Sequence, residues 1–199
     1  MPASKYGLAV FISGRGSNML SIAESCKSGL LSTLSEIRCI FSDNPSAIGI
    51  EKAGKLGFPV LSAIPGGRSR QDFEIETIRL IEPFKPDYIV LAGFKRILSP
   101  YLIGKFKGRI INIHPADSSK FQGLNGYKWA FENKLQKTFI TIHFVDEGVD
   151  TGSVIAKREV DLTGVTTLEE VEKRGLKVEH EFYPEVLANF FSSKLFSGI

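Results

Sequence analysis

Apolar runs alternate with segments of helical periodicity through the first two thirds of the chain. An uninterrupted apolar run, typical of a strand buried on both faces, occupies residues 7–13, and further strands are predicted at residues 36–42, 57–61, 87–92 and 109–114. Helical spacing fills residues 17–27, 46–56 and 71–81. Because strand and helix alternate, the pattern predicts an α/β fold with a doubly wound, mostly parallel sheet, whose ligand crevice opens beyond the carboxyl ends of the strands.

The pattern changes in the last third of the chain. Residues 138–145 and 154–160 alternate between apolar and polar with a period of two, which predicts an antiparallel extension of the sheet. A long C-terminal helix is expected over residues 166–194, with threonines at 166–167 and glutamates at 169–170 as a candidate capping box. Three residues are expected to interrupt or kink this helix: His180, Tyr183 and Pro184. Since no linker or repeat is visible, one domain over residues 1–199 is predicted.

Composition narrows the class of protein without identifying it. The formal net charge of +3 comes from 25 basic and 22 acidic residues, with no basic cluster of the kind that nucleic-acid-binding proteins carry. No window resembles a membrane span, and the N-terminal apolar run ends in glycines rather than in a cleavage site. Cys26 and Cys39 lack the spacing of a metal or redox motif. We therefore expect a cytoplasmic protein that binds neither nucleic acid nor membrane.

A glycine loop, SGRGSN at residues 13–18, follows the first predicted strand and begins the first predicted helix. Gly14 and Gly16 allow an anion to approach the backbone, while Ser17 and Asn18 add side-chain donors and can cap the helix. The loop is neither a dinucleotide fingerprint, because residue 19 is methionine, nor a Walker A loop. It predicts a phosphate or carboxylate site, with a simple strand-to-helix turn as the alternative.

The pentapeptide INIHP at residues 111–115 carries the most specific chemistry. Asn112 and His114 are two residues apart in a strand, so their side chains share a face, and Pro115 ends the strand at its carboxyl edge. An amide beside an imidazole can stabilise an oxyanion and move a proton near neutral pH. The alternative is a core histidine bonded to a nearby carbonyl group.

A catalytic imidazole usually has a carboxylate partner. Asp150, in the loop after residues 138–145, is the preferred candidate, whereas Asp146 and Glu147 are interpreted as solvated turn charges. His143 alternates with apolar residues in its strand and is expected to pack structurally. A metal site and a covalent nucleophile are both disfavoured, because the histidines lack ligand spacing and no activated serine or cysteine motif occurs.

Five motifs occur in an order and at spacings that resemble the phosphoribosylglycinamide formyltransferases, a family of the folate-dependent formyltransferase superfamily. They are SGRGSN at 13–18, LAGFKRILSP at 91–100, INIHP at 111–115, HFVDEGVDTGSVI at 143–155 and EHEFYP at 179–184. The resemblance covers nearly the whole chain. It implies a Rossmann-like formyltransferase fold and transfer of the formyl group of 10-formyltetrahydrofolate, a co-substrate, to the amine of glycinamide ribonucleotide in de novo purine synthesis. It implies no metal.

The same resemblance implies a role for each matching position. A nucleotide-phosphate half is expected at about residues 1–105, and a catalytic and folate half at about residues 106–199. The catalytic positions are Asn112, His114 and Asp150. The substrate-binding positions are Gly16, Ser17 and Asn18 for the phosphate, Arg70 for the ribonucleotide and Glu179 for the ribose hydroxyls. The wall of the folate pocket is formed by Arg96, Ile97, Leu98, Asp146, Glu147 and Val149.

Two segments depart from the family pattern. Residues 116–119 are Ala-Asp-Ser-Ser where a Ser-Leu-Leu-Pro type of segment is usual, and Asn125 stands where histidine is usual. Because the catalytic trio is intact, the reaction class is expected to persist, while affinity for folate or substrate is expected to differ. A 10-formyltetrahydrofolate hydrolase and a non-catalytic folate- or nucleotide-binding module remain alternatives. The oligomeric state is left open, with a homodimer as one option.

Overall fold

The computed structural model describes residues 5–196, in which strands and helices alternate along the chain. The strands are β1 (Tyr6–Ile12), β2 (Ser35–Ser42), β3 (Val60–Ser62), β4 (Tyr88–Leu91), β5 (Ile110–His114), β6 (Lys137–Phe144) and β7 (Val154–Asp161). The helices are α1 (Ser17–Ser28), α2 (Ile48–Lys55), α3 (Arg70–Ile81), α4 (Pro100–Lys105), α5 (Gly126–Glu132) and α6 (Leu168–Phe196). A short 3-10 helix at Glu82–Phe84 follows α3.

The strands form one sheet in the order β3-β2-β1-β4-β5-β6-β7. Strands β1 to β5 are parallel to one another, and β6 and β7 extend the sheet with antiparallel pairing. The predicted fold class, a mostly parallel doubly wound sheet with an antiparallel extension and a long C-terminal helix, is confirmed. The chain runs outward from β1 to β3 and then returns to place β4 on the other side of β1. In open α/β sheets such a reversal leaves a crevice at the carboxyl ends of the strands.

The central strand β1 is buried on both faces, as its uninterrupted apolar sequence predicts. Leu8 and Val10 belong to one apolar core, which includes residues of α1 and α6. Ala9 and Phe11 belong to a second core on the other face, which includes residues of α3 and α4. The two cores hold the carboxyl edge of the sheet between helices on both faces.

The capping box predicted at the start of α6 is confirmed. The Glu170 backbone N–H donates to Thr167 Oγ1 at 3.2 Å, and the Glu170 carboxylate accepts the Thr166 N–H at 2.9 Å. The interruption predicted near residues 180–184 is wrong, because α6 runs continuously through Pro184. Proline removes one helical N–H there, but Tyr183 and its neighbours on α6 are buried against the sheet, which keeps the helix intact.

Three local predictions differ from the structure. Ser17 and Asn18 do not cap α1; Gly16 takes the N-cap position with a φ of +69° and no side-chain cap. Strand β3 begins only at Val60, because Gly57 turns the chain with a φ of +81°. Helices α4 and α5 were not predicted, since six or seven residues are too few to establish a helical period.

Both cysteines are free thiols, and burial raises the pKa of Cys39 to about 12. Within residues 5–196, no helix is both long enough and apolar enough to cross a membrane.

Tyr183 supplies a polar tie between α6 and the centre of the sheet. Its side chain is fully buried, and its hydroxyl lies 3.2 Å from the Leu91 carbonyl oxygen and 3.0 Å from that of Ile111.

Tyr183→Phe should lower the free energy of unfolding by about 1–3 kcal/mol, because buried carbonyl groups lose their donor. Chemical denaturation measures this change. The half-buried Tyr6 provides the control, and an equal loss in Tyr6→Phe would contradict the specific role of the Tyr183 hydroxyl.

Candidate active site

A cavity of about 590 Å³ opens at the carboxyl ends of β4 and β5. Strand residues Leu91, Asn112, His114 and His143 lie at its base. Most of its wall comes from three loops, which contribute residues 93–98, residues 123–125 with the start of α5, and most of residues 145–150; Arg15 and two residues of α6 complete it. The sequence-predicted crevice is therefore present.

Asn112, His114 and Asp150 are in direct contact. The first two stand at the end of β5, and Asp150 reaches them from the β6–β7 loop, where it adopts a φ of +53°. The Asn112 Nδ2 donates to Asp150 Oδ1 at 3.3 Å, and Nδ1 of His114 lies 3.3 Å from Asp150 Oδ2. The structure thus brings together the three side chains that the sequence analysis selected as catalytic candidates.

The Asp150 carboxylate is the shared acceptor of this group. The Gly123 N–H donates to Oδ2 at 2.8 Å, and Nε2 of His143 lies 3.3 Å from Oδ1. Burial alone would raise the pKa of Asp150, but the hydrogen bonds from His143 and Gly123 and the charge of His114 lower it below its ordinary value. Asp150 is therefore ionised at neutral pH.

The imidazole of His114 is 3% exposed and faces an acceptor at each ring nitrogen. Besides Asp150 at Nδ1, the carbonyl oxygen of Phe121 lies 2.9 Å from Nε2. Burial lowers the pKa of His114 below its ordinary value, and His143 adds to this, while Asp150 and the Phe121 carbonyl oppose it. The ring is therefore neutral at neutral pH, with two acceptors in place to stabilise the imidazolium when it gains a proton.

His143 belongs to the site, although the sequence analysis assigned it only a packing role. It pairs with Asn112 in the β5–β6 register, and its Nε2 lies 3.2 Å from the Asn112 Nδ2. Its Nδ1 lies 2.8 Å from the Phe144 carbonyl oxygen, which can only accept, so Nδ1 carries a hydrogen. The signal that could have found it is the antiparallel register, which places residue 143 beside residue 112.

The predicted substrate-binding residues lie apart from one another. Gly16, at the N-cap of α1, is buried, and Ser17 borders a shallow depression on the α1–α6 surface instead of the cavity. The glycine-loop side chain that lines the cavity is Arg15, which the sequence analysis did not select. Arg70 begins α3 as an exposed residue and does not line the cavity.

Glu179 connects the glycine loop to the cavity wall without being exposed itself. Its carboxylate accepts the Asn18 side-chain amide on α1 and the Tyr127 hydroxyl on α5. Burial raises the pKa of Glu179, while these two hydrogen bonds oppose the shift. Tyr127, a cavity residue that the sequence analysis missed, forms the accessible end of this chain of hydrogen bonds. The Asn18 Oδ1 is buried without a hydrogen-bond partner.

The predicted folate wall is largely on the cavity. Arg96, Ile97 and Leu98 line it from the β4 side. Their segment ends at Ser99, whose backbone N–H donates to the buried Glu74 carboxylate at 2.7 Å, which holds the wall against α3.

The opposite wall is the β6–β7 loop, where Asp146 and Val149 line the cavity and the exposed Glu147 does not. Asp146 is more than a solvated charge, because its Oδ1 accepts the Gly148 N–H at 3.1 Å and the Thr151 hydroxyl at 2.6 Å. It therefore shapes the loop that carries Asp150.

The arrangement can stabilise charge and transfer a proton. An amide donor, an imidazole that can be protonated and an ionised carboxylate meet at one cavity, a combination suited to acyl transfer through a tetrahedral intermediate. In the part of the chain that the structure describes, no group of three or more His, Cys, Asp or Glu side chains is placed to hold a metal ion. Fold and site together define an α/β group-transfer enzyme.

Comparison with known proteins specifies the class. Residues 7–187 match the formyl transferase family. The phosphoribosylglycinamide formyltransferase of Escherichia coli is 34% identical over 189 residues, covering 94% of this chain and 88% of that protein. The solved phosphoribosylglycinamide formyltransferase of Bacillus halodurans has a TM-score of 0.89 at 36% identity, covering 94% of this chain and 95% of that one. Glycinamide ribonucleotide transformylase 1 of Symbiobacterium toebii has a TM-score of 0.90 at 30% identity, with 95% and 89% covered.

The chain therefore belongs to the formyl transferase family. The resemblance inferred from its five motifs is confirmed, and the chain is a formyltransferase enzyme.

The shared carboxylate leads to a test of its charge. Asp150→Asn keeps the shape of the side chain but removes the negative charge that raises the pKa of His114, so that pKa should fall further. The rate of turnover should drop by about 100-fold or more, with ligand affinity changed much less. NMR titration of His114 and steady-state kinetics measure the two effects.

Glu147→Gln is the matched control, since it neutralises an exposed carboxylate three residues away in the same loop. It should leave both the His114 titration and the turnover close to those of the unmodified protein. Normal turnover in Asp150→Asn would contradict the assigned role.

Proposed function

We propose that this enzyme transfers the formyl group of 10-formyltetrahydrofolate to the amine of glycinamide ribonucleotide, giving formylglycinamide ribonucleotide and tetrahydrofolate in de novo purine synthesis. The observation that carries the proposal is the contact of Asn112 and His114 with one ionised carboxylate, that of Asp150, beside a cavity. The relatives named phosphoribosylglycinamide formyltransferase support the substrate pair, because they align over 94% of this chain.

In the proposed mechanism Asn112 and His114 stabilise the oxyanion that forms when the neutral amine attacks the formyl carbon. The Asn112 amide donates a hydrogen bond to the oxyanion. His114, neutral in the free protein, takes up a proton from solvent to act as an imidazolium, which Asp150 and the Phe121 carbonyl support. Asp150 helps to relay the proton released by the amine, through water, towards the folate nitrogen that leaves. The attack forms the new C–N bond, and collapse of the intermediate breaks the bond between the formyl carbon and folate N10. No covalent enzyme intermediate is required.

We assign the ribonucleotide phosphate to the glycine loop of Gly16, Ser17 and Asn18, at the N-terminus of α1. Arg15, beside this loop and on the cavity wall, adds positive charge. The ribose then contacts Tyr127 on the cavity wall, whose hydroxyl donates to the Glu179 carboxylate behind it. A contact with Arg70 would require movement of the loop before α3, because Arg70 does not line the cavity.

We assign the folate to the space between Arg96, Ile97 and Leu98 on one wall and Asp146 and Val149 on the other. Residues 1–105 then serve mainly the phosphate and residues 106–199 mainly catalysis and folate, with residues 96–98 as the exception. Of the departures from the family pattern, Asn125 lines the cavity with a φ of +69°, so the altered affinity is expected on this side. A cytoplasmic location is part of the proposal.

One assay separates formyl transfer from its alternatives. Incubation with 10-formyltetrahydrofolate should release tetrahydrofolate only when glycinamide ribonucleotide is present. Release without the ribonucleotide would indicate a hydrolase, and no release in either case would indicate a binding module.

His114→Asn should lower kcat by about 100-fold or more, because the proton-transfer group is lost. His180→Asn, in a histidine outside the cavity, should keep normal activity, and the melting temperatures of both variants check that they are folded.

A second test concerns the phosphate assignment. A Cβ on Gly14 would meet no atom within 4 Å, whereas one on Gly16 would come 3.0 Å from the Gly49 Cα. Gly14→Val should therefore fold normally and obstruct only a ligand that approaches the loop. We expect the Kd for glycinamide ribonucleotide to rise by about tenfold or more, with the Kd for folate nearly unchanged. Calorimetry measures both constants, and equal losses would contradict the assignment.

A further inference from the structure

The segment of residues 116–123, whose first four residues depart from the family pattern, contacts His114 and Asp150 through its backbone. The Phe121 carbonyl oxygen lies 2.9 Å from Nε2 of His114, and the Gly123 N–H donates to Asp150 Oδ2 at 2.8 Å. The segment therefore supplies one acceptor to the imidazole and one donor to the carboxylate.

The Phe121 contact determines which ring nitrogen reacts. The neutral ring has one hydrogen for two acceptors, and the Phe121 carbonyl oxygen lies closer to Nε2, at 2.9 Å, than the Asp150 carboxylate lies to Nδ1, at 3.3 Å, so the geometry favours a hydrogen on Nε2 of His114 in both protonation states. The proton is then gained and lost at Nδ1, which faces Asp150. If the Phe121 carbonyl moved away, both tautomers of the neutral ring would become accessible.

Asp117 holds the segment in this position from two sides. Its backbone carbonyl accepts the N–H groups of Lys120 at 2.8 Å and Phe121 at 2.9 Å, which forms the turn that presents the Phe121 carbonyl. Its carboxylate accepts the Ser119 N–H at 3.1 Å and the Ser119 hydroxyl at 2.7 Å, and it also accepts the Lys157 Nζ. The side chain thus closes the turn and ties it to β7.

The ion pair between Lys157 and Asp117 lies in line with a row of paired residues that crosses β5, β6 and β7. His114 on β5 pairs with Thr141 on β6, and Thr141 pairs with Lys157 on β7. The buried Thr141 hydroxyl donates to the Ala116 carbonyl at 2.7 Å. The row of residues that carries the catalytic imidazole therefore also anchors the segment beside it.

We propose that Asp117 is a positioning residue for His114: through its ion pair with Lys157 it holds the Phe121 carbonyl on Nε2 and so selects Nδ1 as the nitrogen that exchanges the proton. This inference rests on the proposed function only in taking His114 as the reacting group. It assigns a role to a residue in the segment where this chain departs from its family.

Asp117 itself does not titrate in the working range. Burial alone would raise its pKa, but hydrogen bonds from Lys157 and Ser119 lower it to about 2. The titratable groups that face His114 are Asp150, from the β6–β7 loop, and His143, from β6. A change in the His114 titration on substitution of Asp117 would therefore report the loss of the Phe121 contact.

The test compares variants that break or keep the ion pair. Lys157→Met and Asp117→Asn both remove the ion pair. The asparagine at position 117 can still accept hydrogen bonds from Ser119, so Asp117→Asn removes mainly the charge. Lys157→Arg keeps the positive charge and therefore the ion pair. Glu159→Gln is the matched control, because it breaks the neighbouring β6–β7 ion pair, in which Lys137 Nζ lies 2.7 Å from Glu159. Histidine ¹⁵N NMR of the ligand-free protein gives the tautomer and pKa of His114, and steady-state kinetics give kcat and KM.

In the unmodified protein, in Lys157→Arg and in Glu159→Gln, the neutral His114 ring should carry its hydrogen on Nε2. In Lys157→Met and Asp117→Asn the two tautomers should mix and the His114 pKa should fall. The kcat should then decrease by about three- to tenfold, the rate equivalent of one neutral hydrogen bond, with little change in KM.

An unchanged tautomer and pKa in both Lys157→Met and Asp117→Asn would overturn the proposal, as would the same changes in Glu159→Gln. Because tautomer and pKa are measured without substrate, they test the proposal even if formyl transfer fails. Absence of transferase activity in the unmodified protein would count against the proposed function alone.

Discussion

A single ionised carboxylate, that of Asp150, accepts the Asn112 amide and the Gly123 backbone N–H and lies 3.3 Å from ring nitrogens of His114 and His143. A partly buried carboxylate is stable only when such donors replace the water it has lost. Because these donors come from β5, β6 and the loop before α5, the site requires all three to be in register. The carboxylate therefore links the fold of the sheet to the chemistry at its edge.

The sheet provides that register by its topology. Parallel strands place the end of β5 beside the end of β4, and the antiparallel β6 adds His143 opposite Asn112. Helix α6 contacts the centre of the sheet through the Tyr183 hydroxyl, which bonds carbonyl groups of β4 and β5. Its Glu179 carboxylate accepts from side chains of α1 and α5 and so links these two helices. The same helix thus supports the sheet edge that carries the candidate catalytic residues and the glycine loop.

Features that depend on local pattern could be predicted from the sequence. The buried strand β1 follows from its uninterrupted apolar run, the shared face of Asn112 and His114 from their spacing, and the start of α6 from the Thr167–Glu170 capping box. Asp150 was selected from its loop, where local signals separate it only weakly from Asp146.

Features that depend on tertiary contact could not be predicted in the same way. His143 enters the site through strand pairing, and Asp117 through an ion pair with a residue 40 positions away. The burial of Glu179 likewise follows from the packing of α1 and α5 on α6, which no local period encodes. The exposed position of Arg70 shows that a role implied by a family resemblance does not by itself place a side chain in the cavity.

The most direct measurement is one pH titration of the unmodified protein that follows the Asp150 carboxyl by ¹³C NMR and the His114 ring by ¹⁵N NMR. The account predicts that Asp150 titrates below its ordinary value of 3.8 and that His114 gains its proton below its ordinary value of 6.5, at Nδ1. A carboxyl that is protonated above the ordinary aspartate value would contradict a site organised around an ionised Asp150.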